Sequence, residues 1–139
     1  MGVVVRVRDV MTKELVSVDK NESVSKAINL MVEKDIGSVV VTEKGKPVGI
    51  LTERDIMKRV CPQELCTRKV TAGEVMSHPL ITVNADARLG EAALLMMEKG
   101  VRRLLVADKD EVIGIVTQKD IMRGTLDTFM ALSMIGSQL

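Results

Sequence analysis

Apolar residues along the chain fall into short runs and helical stripes that alternate in a fixed order. A short extended run at 15–18 comes first. Val24, Ala27, Ile28, Met31 and Val32 then fall at i, i+3, i+4, i+7 and i+8, which predicts an amphipathic helix with one apolar face. Two further apolar runs, 39–42 and 47–52, flank Glu43-Lys44-Gly45-Lys46 and read as paired strands, with a helix predicted from Glu53. The same order then returns. An extended run at 80–83 precedes a stripe of Leu89, Ala92, Ala93, Met96 and Met97. Runs at 104–107 and 112–117 flank Asp108-Lys109-Asp110-Glu111, and a helix is predicted from Gln118. Methionines at stripe positions read as core filler rather than a ligand surface.

This recurrence is a duplication. Shifting the chain by 65 residues aligns 10–57 with 75–122 without a gap, and 17 of 48 positions are identical. Chance at ordinary composition gives roughly 5–10%. Most mismatches are conservative: Val16 faces Ile81, Ser17 faces Thr82, and Arg54 faces Lys119. The predicted fold class is α/β (α+β), two tandem βαββα units. A lone unit has a one-faced sheet that it cannot bury, so the two are expected to pack through their sheets with pseudo-twofold symmetry. Clefts at such a junction are natural ligand sites. The expected division is repeat one at 8–60, a connector at 61–73, repeat two at 74–124 and a further helix at 125–139. That tail carries Leu126, Phe129 and Met130 at helical spacing. Its apolar face needs a partner, either the body of the chain or a second subunit, and a homodimer is expected.

Composition narrows the function. Apolar residues make up 46% of the chain, enough for a core without disulfide or metal. Phe129 is the sole aromatic residue and the net charge is +1, so stacking platforms and a basic surface for nucleic acid are both excluded. No 18-residue apolar run predicts a membrane span, and residues 1–8 lack the apolar stretch of a signal peptide. A soluble, cytoplasmic chain is expected. Cys61 and Cys66 form a C-x₄-C pair, but His78 is the only histidine and cannot complete a zinc site. They read as linker cysteines, and no metal is expected. His78 has no nucleophile partner and no Gly-rich phosphate loop occurs, so no catalysis is expected.

The chemistry gathers at Gly49-Ile50-Leu51-Thr52-Glu53-Arg54-Asp55 and Gly114-Ile115-Val116-Thr117-Gln118-Lys119-Asp120, where a strand turns into a helix. One reading is a helix cap, in which Thr accepts from a first-turn amide and Asp answers three residues later. The other adds a ligand: first-turn amides and the positive helix end attract anions, and a fixed carboxylate can accept two hydrogen bonds from a ribose diol. The two are compatible. Arg102 and Arg103 enter a strand where the first copy has Gly37 and Ser38. Adjacent strand residues point to opposite faces, so one surface cannot hold both. They are either solvated charges or a phosphate contact suited to the planar guanidinium.

The pattern resembles the CBS domain family in its paired, stand-alone form, the Bateman module. The resemblance covers 8–122. It rests on Asp9-Val10-Met11-Thr12 and Glu74-Val75-Met76-Ser77, on Ala27/Met31 and Ala92/Met96, and on the two Gly-x-x-Thr-x-x-Asp segments. It implies a regulatory module that senses AMP, ADP or ATP, or less readily S-adenosylmethionine, and acts on another protein. An interaction scaffold with unused clefts is the alternative. Carried over by position, Thr52, Asp55, Thr117 and Asp120 would hold phosphate and ribose. Backbone around Val16 and Ile81 would meet the adenine edge, Ile36 and Val101 would flank the base, and Arg102 and Arg103 would reach phosphate. Thr12, Gly37, Arg54, Ser77 and Lys119 complete the candidate set. The first copy departs from the pattern, since Gly37-Ser38 offers no charge.

Overall fold

The computed structural model describes residues 5–136. In chain order its elements are α1 (Val7–Val10), β1 (Ser17–Asp19), α2 (Val24–Lys34), β2 (Ser38–Glu43), β3 (Lys46–Thr52) and α3 (Glu53–Asp55), then a π-helical turn (Ile56–Val60). They continue as α4 (Ala72–Val75), β4 (Thr82–Asn84), α5 (Leu89–Lys99), β5 (Arg103–Asp108), β6 (Glu111–Thr117) and α6 (Gln118–Gly136). Two three-stranded sheets result, ordered β1-β2-β3 and β4-β5-β6. In each, the first pair is parallel and bridged by the long helix, and the second is an antiparallel hairpin. The hairpin strands lie within a residue of the predicted runs, whereas β1 and β4 begin two residues later than the runs at 15–18 and 80–83 and end one residue beyond them.

Local chemistry sets the boundaries. Ser23 caps α2 by accepting from the Lys26 amide at 3.1 Å. Both long helices stop at a left-handed residue, Asp35 (φ 52°) or Gly100 (φ 64°), whose amide turns back to Met31 and Val32 or to Met96 and Met97. The hairpins turn on two residues with positive φ, Lys44-Gly45 (51° and 77°) and Lys109-Asp110 (50° and 66°). That geometry matches the twist of the flanking strands.

The apolar stripes build two cores. Val24, Ala27 and Met31 pack on Val39, Val41 and Leu51, while Leu89, Ala92 and Met96 pack on Leu104, Val106 and Val116. The stripes are narrower than predicted. Val32 is 76% exposed and Met97 78% exposed, so the last stripe position of each helix lies outside the core. Met97 is therefore not core filler.

The compact units divide the chain differently from the sequence repeats. Leu15–Leu80 forms one unit, and the residues up to Glu14 join those from Ile81 onward in the other. The segment before each sheet docks on the opposite repeat. Val7 and Arg8 donate to the Ala87 and Ala85 carbonyls, both at 2.9 Å, and Thr12 exchanges bonds with Ile115 at 2.9 and 3.0 Å. Sixty-five residues on, Ala72 and Gly73 donate to Glu22 and Lys20 at 2.8 and 2.9 Å, and Ser77 exchanges bonds with Ile50 at 2.8 and 3.0 Å. Arg8 ties its segment further, donating to Asp86 at 2.7 Å and Asp108 at 3.3 Å. Its guanidinium holds the Asp86 carboxyl below the usual carboxylate range, so this contribution is full above that range and is lost as pH falls from it through the lowered native value.

Gly49 and Gly114 make these dockings possible. A Cβ at Gly49 would lie 2.4 Å from Met76 Sδ and 2.9 Å from the Ser77 carbonyl; at Gly114 it would meet Met11 Sδ at 2.7 Å and the Thr12 carbonyl at 2.8 Å. The repeats diverge after their Thr-x-x-Asp turns. The first continues as a π-helical turn in which Cys61 bonds back to Ile56 at 3.0 Å. The second runs on as α6 through Gly124, so there is no separate tail helix. Gly124 does not end the helix because it serves packing: a Cβ there would sit 2.7 Å from Val10 and 3.0 Å from Leu89. The predicted tail beyond residue 136 lies outside the described residues.

Gly49→Ala and Gly114→Ala should each lower unfolding free energy in urea by about 1–3 kcal/mol, the range for overpacking against backbone. Gly45→Ala, with nothing within 4 Å of its added methyl, should lose only the roughly 1 kcal/mol of a left-handed side chain.

Candidate functional site

In the Leu15–Leu80 unit, β3 ends at Thr52 and α3 begins at once. Thr52 Oγ1 accepts from the Asp55 amide at 3.1 Å, and Asp55 Oδ2 accepts from the Thr52 amide at 2.9 Å and lies 3.1 Å from Thr52 Oγ1. Asp55 Oδ1 accepts from the Ser77 hydroxyl at 2.7 Å. Asp55 is 6% exposed. A carboxylate buried to this degree needs such donors and a compensating charge. The charge is Arg59, whose Nη1 lies 3.9 Å from Oδ1 while donating to the Val75 and Met76 carbonyls at 3.1 and 2.7 Å. The Glu53 amide donates to the Gly37 carbonyl at 3.0 Å, which brings Gly37 to the same turn.

The other unit repeats the turn with different support. Asp120 Oδ2 accepts from the Thr117 amide at 2.9 Å, and the Asp120 amide donates to Thr117 Oγ1 at 3.3 Å. Asp120 is 7% exposed, and its Oδ1 is held by Arg123 at 2.7 Å. The Gln118 amide donates to the Arg102 carbonyl at 2.8 Å, and Arg103 lies opposite Thr117 in the hairpin register. Arg102 is exposed and Arg103 half-buried, as alternation at a strand entrance requires.

The structure thus brings together Gly37, Thr52, Asp55 and Ser77 in one unit, and Thr12, Arg102, Arg103, Thr117 and Asp120 in the other. Ser77 serves the first repeat's carboxylate, and Thr12 pairs with the second repeat's β6, because the docking segments are exchanged. Arg54 and Lys119 are exposed beside their turns. The Val16 and Ile81 carbonyls accept from Val40 and Leu105 at 2.9 and 3.1 Å within the sheets. Val101 is half-buried against its own core. Ile36 lines an apolar groove of about 470 Å³ with Ile28, Val32, Ile56 and Met57, and Glu53 of the Thr52–Asp55 turn borders the same groove. Cys61 and Cys66 are free and exposed.

The capping reading of Thr-x-x-Asp is met at both turns. Arg59 and Arg123 were not singled out from the sequence, although their i+4 and i+3 spacing from the aspartates was a usable signal. At the position of Arg59 the second repeat has Gly124, so the two carboxylates cannot share one charge partner.

The CBS domain model matches residues 7–61 and 72–127. The chain is 41% identical over 121 residues to an uncharacterized protein of Methanopyrus kandleri, covering 86% of this chain and 62% of that protein. It is 34% identical over 115 residues to the CBS domain-containing protein YhcV of Bacillus subtilis, covering 83% and 81%. Among solved structures, an uncharacterized conserved protein from Pyrococcus horikoshii superposes with a TM-score of 0.81 at 32% identity, covering 90% of this chain and 95% of that one. The chain belongs to the CBS domain family and carries two copies of the domain. It spans less than two thirds of the Methanopyrus relative. Among the described residues no helix is long and apolar enough to cross a membrane.

Ser77→Ala should destabilise the protein by about 1–3 kcal/mol in urea, because Asp55 loses a buried donor. A change below about 0.5 kcal/mol, the scale of an ordinary surface substitution, would show that this hydroxyl does not support the carboxylate.

Proposed function

We propose that the chain is a regulatory module that binds an adenine nucleotide, AMP, ADP or ATP, at its strand-to-helix turns and signals occupancy to a partner protein by changing conformation. One observation carries this reading. Asp55 and Asp120 are the buried charged residues among those described, and they occupy the same position in both repeats. Each stands beside first-turn amides at a positive helix end, a setting that favours phosphate, with a carboxylate suited to a ribose diol. Membership in the CBS family supports the same reading.

The turns differ in charge. Arg102, tied by its carbonyl to the second turn, offers a guanidinium where the first has Gly37 and Ser38. Charge-assisted bonds to phosphate are roughly twice as strong as neutral ones, so the turn beside Arg102 is the tighter site. In the same reading the chain works as a homodimer. A second reading, an interaction scaffold without ligand, draws on the completeness of the caps, in which each carboxylate already has its donors.

Calorimetric titration with AMP, ADP, ATP and S-adenosylmethionine separates the two readings: binding supports the sensor, and no heat with any of the four supports the scaffold. Asp55→Asn and Asp120→Asn keep an acceptor for the caps and should each weaken one site by about 1.5–3 kcal/mol. Alanine is the poorer test, because these carboxylates are buried and their removal reaches into the fold. Arg102→Ala should reduce both the affinity of the tighter site and its dependence on salt. Two equal, salt-insensitive sites unchanged by that substitution would leave Arg102 as solvated surface.

A further inference from the structure

Each buried carboxylate gives one oxygen to its helix cap and the other to a group outside the cap. Oδ2 of Asp55 accepts from the Thr52 amide and Oδ2 of Asp120 from the Thr117 amide, both at 2.9 Å. The other oxygens are held differently. Oδ1 of Asp55 accepts from the Ser77 hydroxyl at 2.7 Å, whereas Oδ1 of Asp120 accepts from Arg123 at 2.7 Å. Ser77 belongs to the segment 71–77 that docks along β3, while Arg123 stands in α6 with Asp120 itself. Thr12, the repeat equivalent of Ser77, is exposed and exchanges backbone bonds with Ile115 of β6.

Both carboxylates are buried, so a diol that takes two bonds from one of them has to displace a donor already present. The cap amides are fixed in the backbone, and the side chain on Oδ1 is the group that yields. At Asp120 this is Arg123, 68% exposed on a long stem, which swings into water at little cost because exposed ion pairs are weak. No backbone has to follow it. At Asp55 the yielding group is a hydroxyl on a one-carbon side chain, close to the backbone of the docked segment. Ser77 exchanges bonds with Ile50 at 2.8 and 3.0 Å, and Ala72 and Gly73 donate to Glu22 and Lys20 at 2.8 and 2.9 Å. Whether the hydroxyl turns away or the backbone shifts, the segment loses its tie to the turn. Arg59 couples the same parts, since it holds the Val75 and Met76 carbonyls at 3.1 and 2.7 Å and lies 3.9 Å from Asp55 Oδ1.

We propose that the two turns have different duties. A ribose that takes Asp55 Oδ1 from Ser77 loosens segment 71–77 from β3, so the Thr52–Asp55 turn transmits occupancy. The Thr117–Asp120 turn fills without moving residues 6–12. This rests on the adenine-nucleotide reading above and assigns its regulation to one site, with Ser77 as the positioning residue that couples turn to segment. Calorimetry with AMP and amide-resolved hydrogen–deuterium exchange on the full chain test it together. One net hydrogen bond corresponds to about five-fold in an opening equilibrium. Saturating AMP should speed exchange of the Ala72, Gly73 and Ser77 amides by about that factor and leave Val7, Arg8 and Thr12 unchanged. Asp120→Asn should keep this response and Asp55→Asn should lose it. Ser77→Ala should bind AMP at least as tightly, because no hydroxyl competes, yet show no response in 71–77. Ser77→Thr, which restores a hydroxyl and matches position 12, should recover it. AMP heat without faster exchange in 71–77, an equal response in 6–12, or a response that survives Ser77→Ala or Asp55→Asn would overturn the division of duties alone. No heat with AMP, ADP, ATP or S-adenosylmethionine would overturn it together with the sensor reading.

Discussion

At Gly49 and Gly114 two stretches of backbone approach more closely than any side chain would allow, and each unit is arranged around that approach. A methyl group on either glycine would sit within 3 Å of a carbonyl oxygen and a methionine sulfur. Because the space is empty, residues 76–77 can lie along β3 and residues 11–12 along β6, each exchanging a pair of backbone hydrogen bonds. Val75 and Ala72 then close one core, and Val7 closes the other. Each sheet is completed by a segment from outside its own repeat, so neither repeat cut out along its sequence boundaries would be whole.

The same approach determines how the buried carboxylates are satisfied. Docking of 76–77 delivers the Ser77 hydroxyl to Asp55 and presents the Val75 and Met76 carbonyls to Arg59. The guanidinium is thereby fixed by two carbonyls while it compensates the carboxylate electrostatically. In the other unit Val10 packs against Gly124, where Arg59 would fall by repeat, and Asp120 takes Arg123 from its own helix. Arg123 is 68% exposed, so water screens this ion pair more than it screens Asp55. Equivalent aspartates therefore stand in unequal electrostatic settings, although their caps share one design.

On the proposed reading, a ribose would compete with groups already bonded to these carboxylates, and affinity would reflect the difference between the two sets of hydrogen bonds. Stabilising the unliganded turn and binding a ligand draw on the same atoms. Exchange of partners at the start of a helix can then be felt by the docked segment, since Ser77 belongs to that segment and not to the turn itself.

The order of elements, the duplication, the helix caps and the family were legible in the residues, because period, turn chemistry and a 65-residue self-match are properties of neighbours along the chain. Thr52–Asp55 and Thr117–Asp120 were legible for the same reason, as capping acts over three residues. The exchange of segments was not, since the pairings of Thr12 with Ile115 and of Ser77 with Asp55 span distances at which sequence spacing carries no geometry. The exposure of Val32 and Met97 and the unbroken passage of α6 through Gly124 also escaped local reasoning. A helical period shows which residues share a face, but what covers that face, and whether a glycine ends a helix or makes room for Val10, is settled only by tertiary packing.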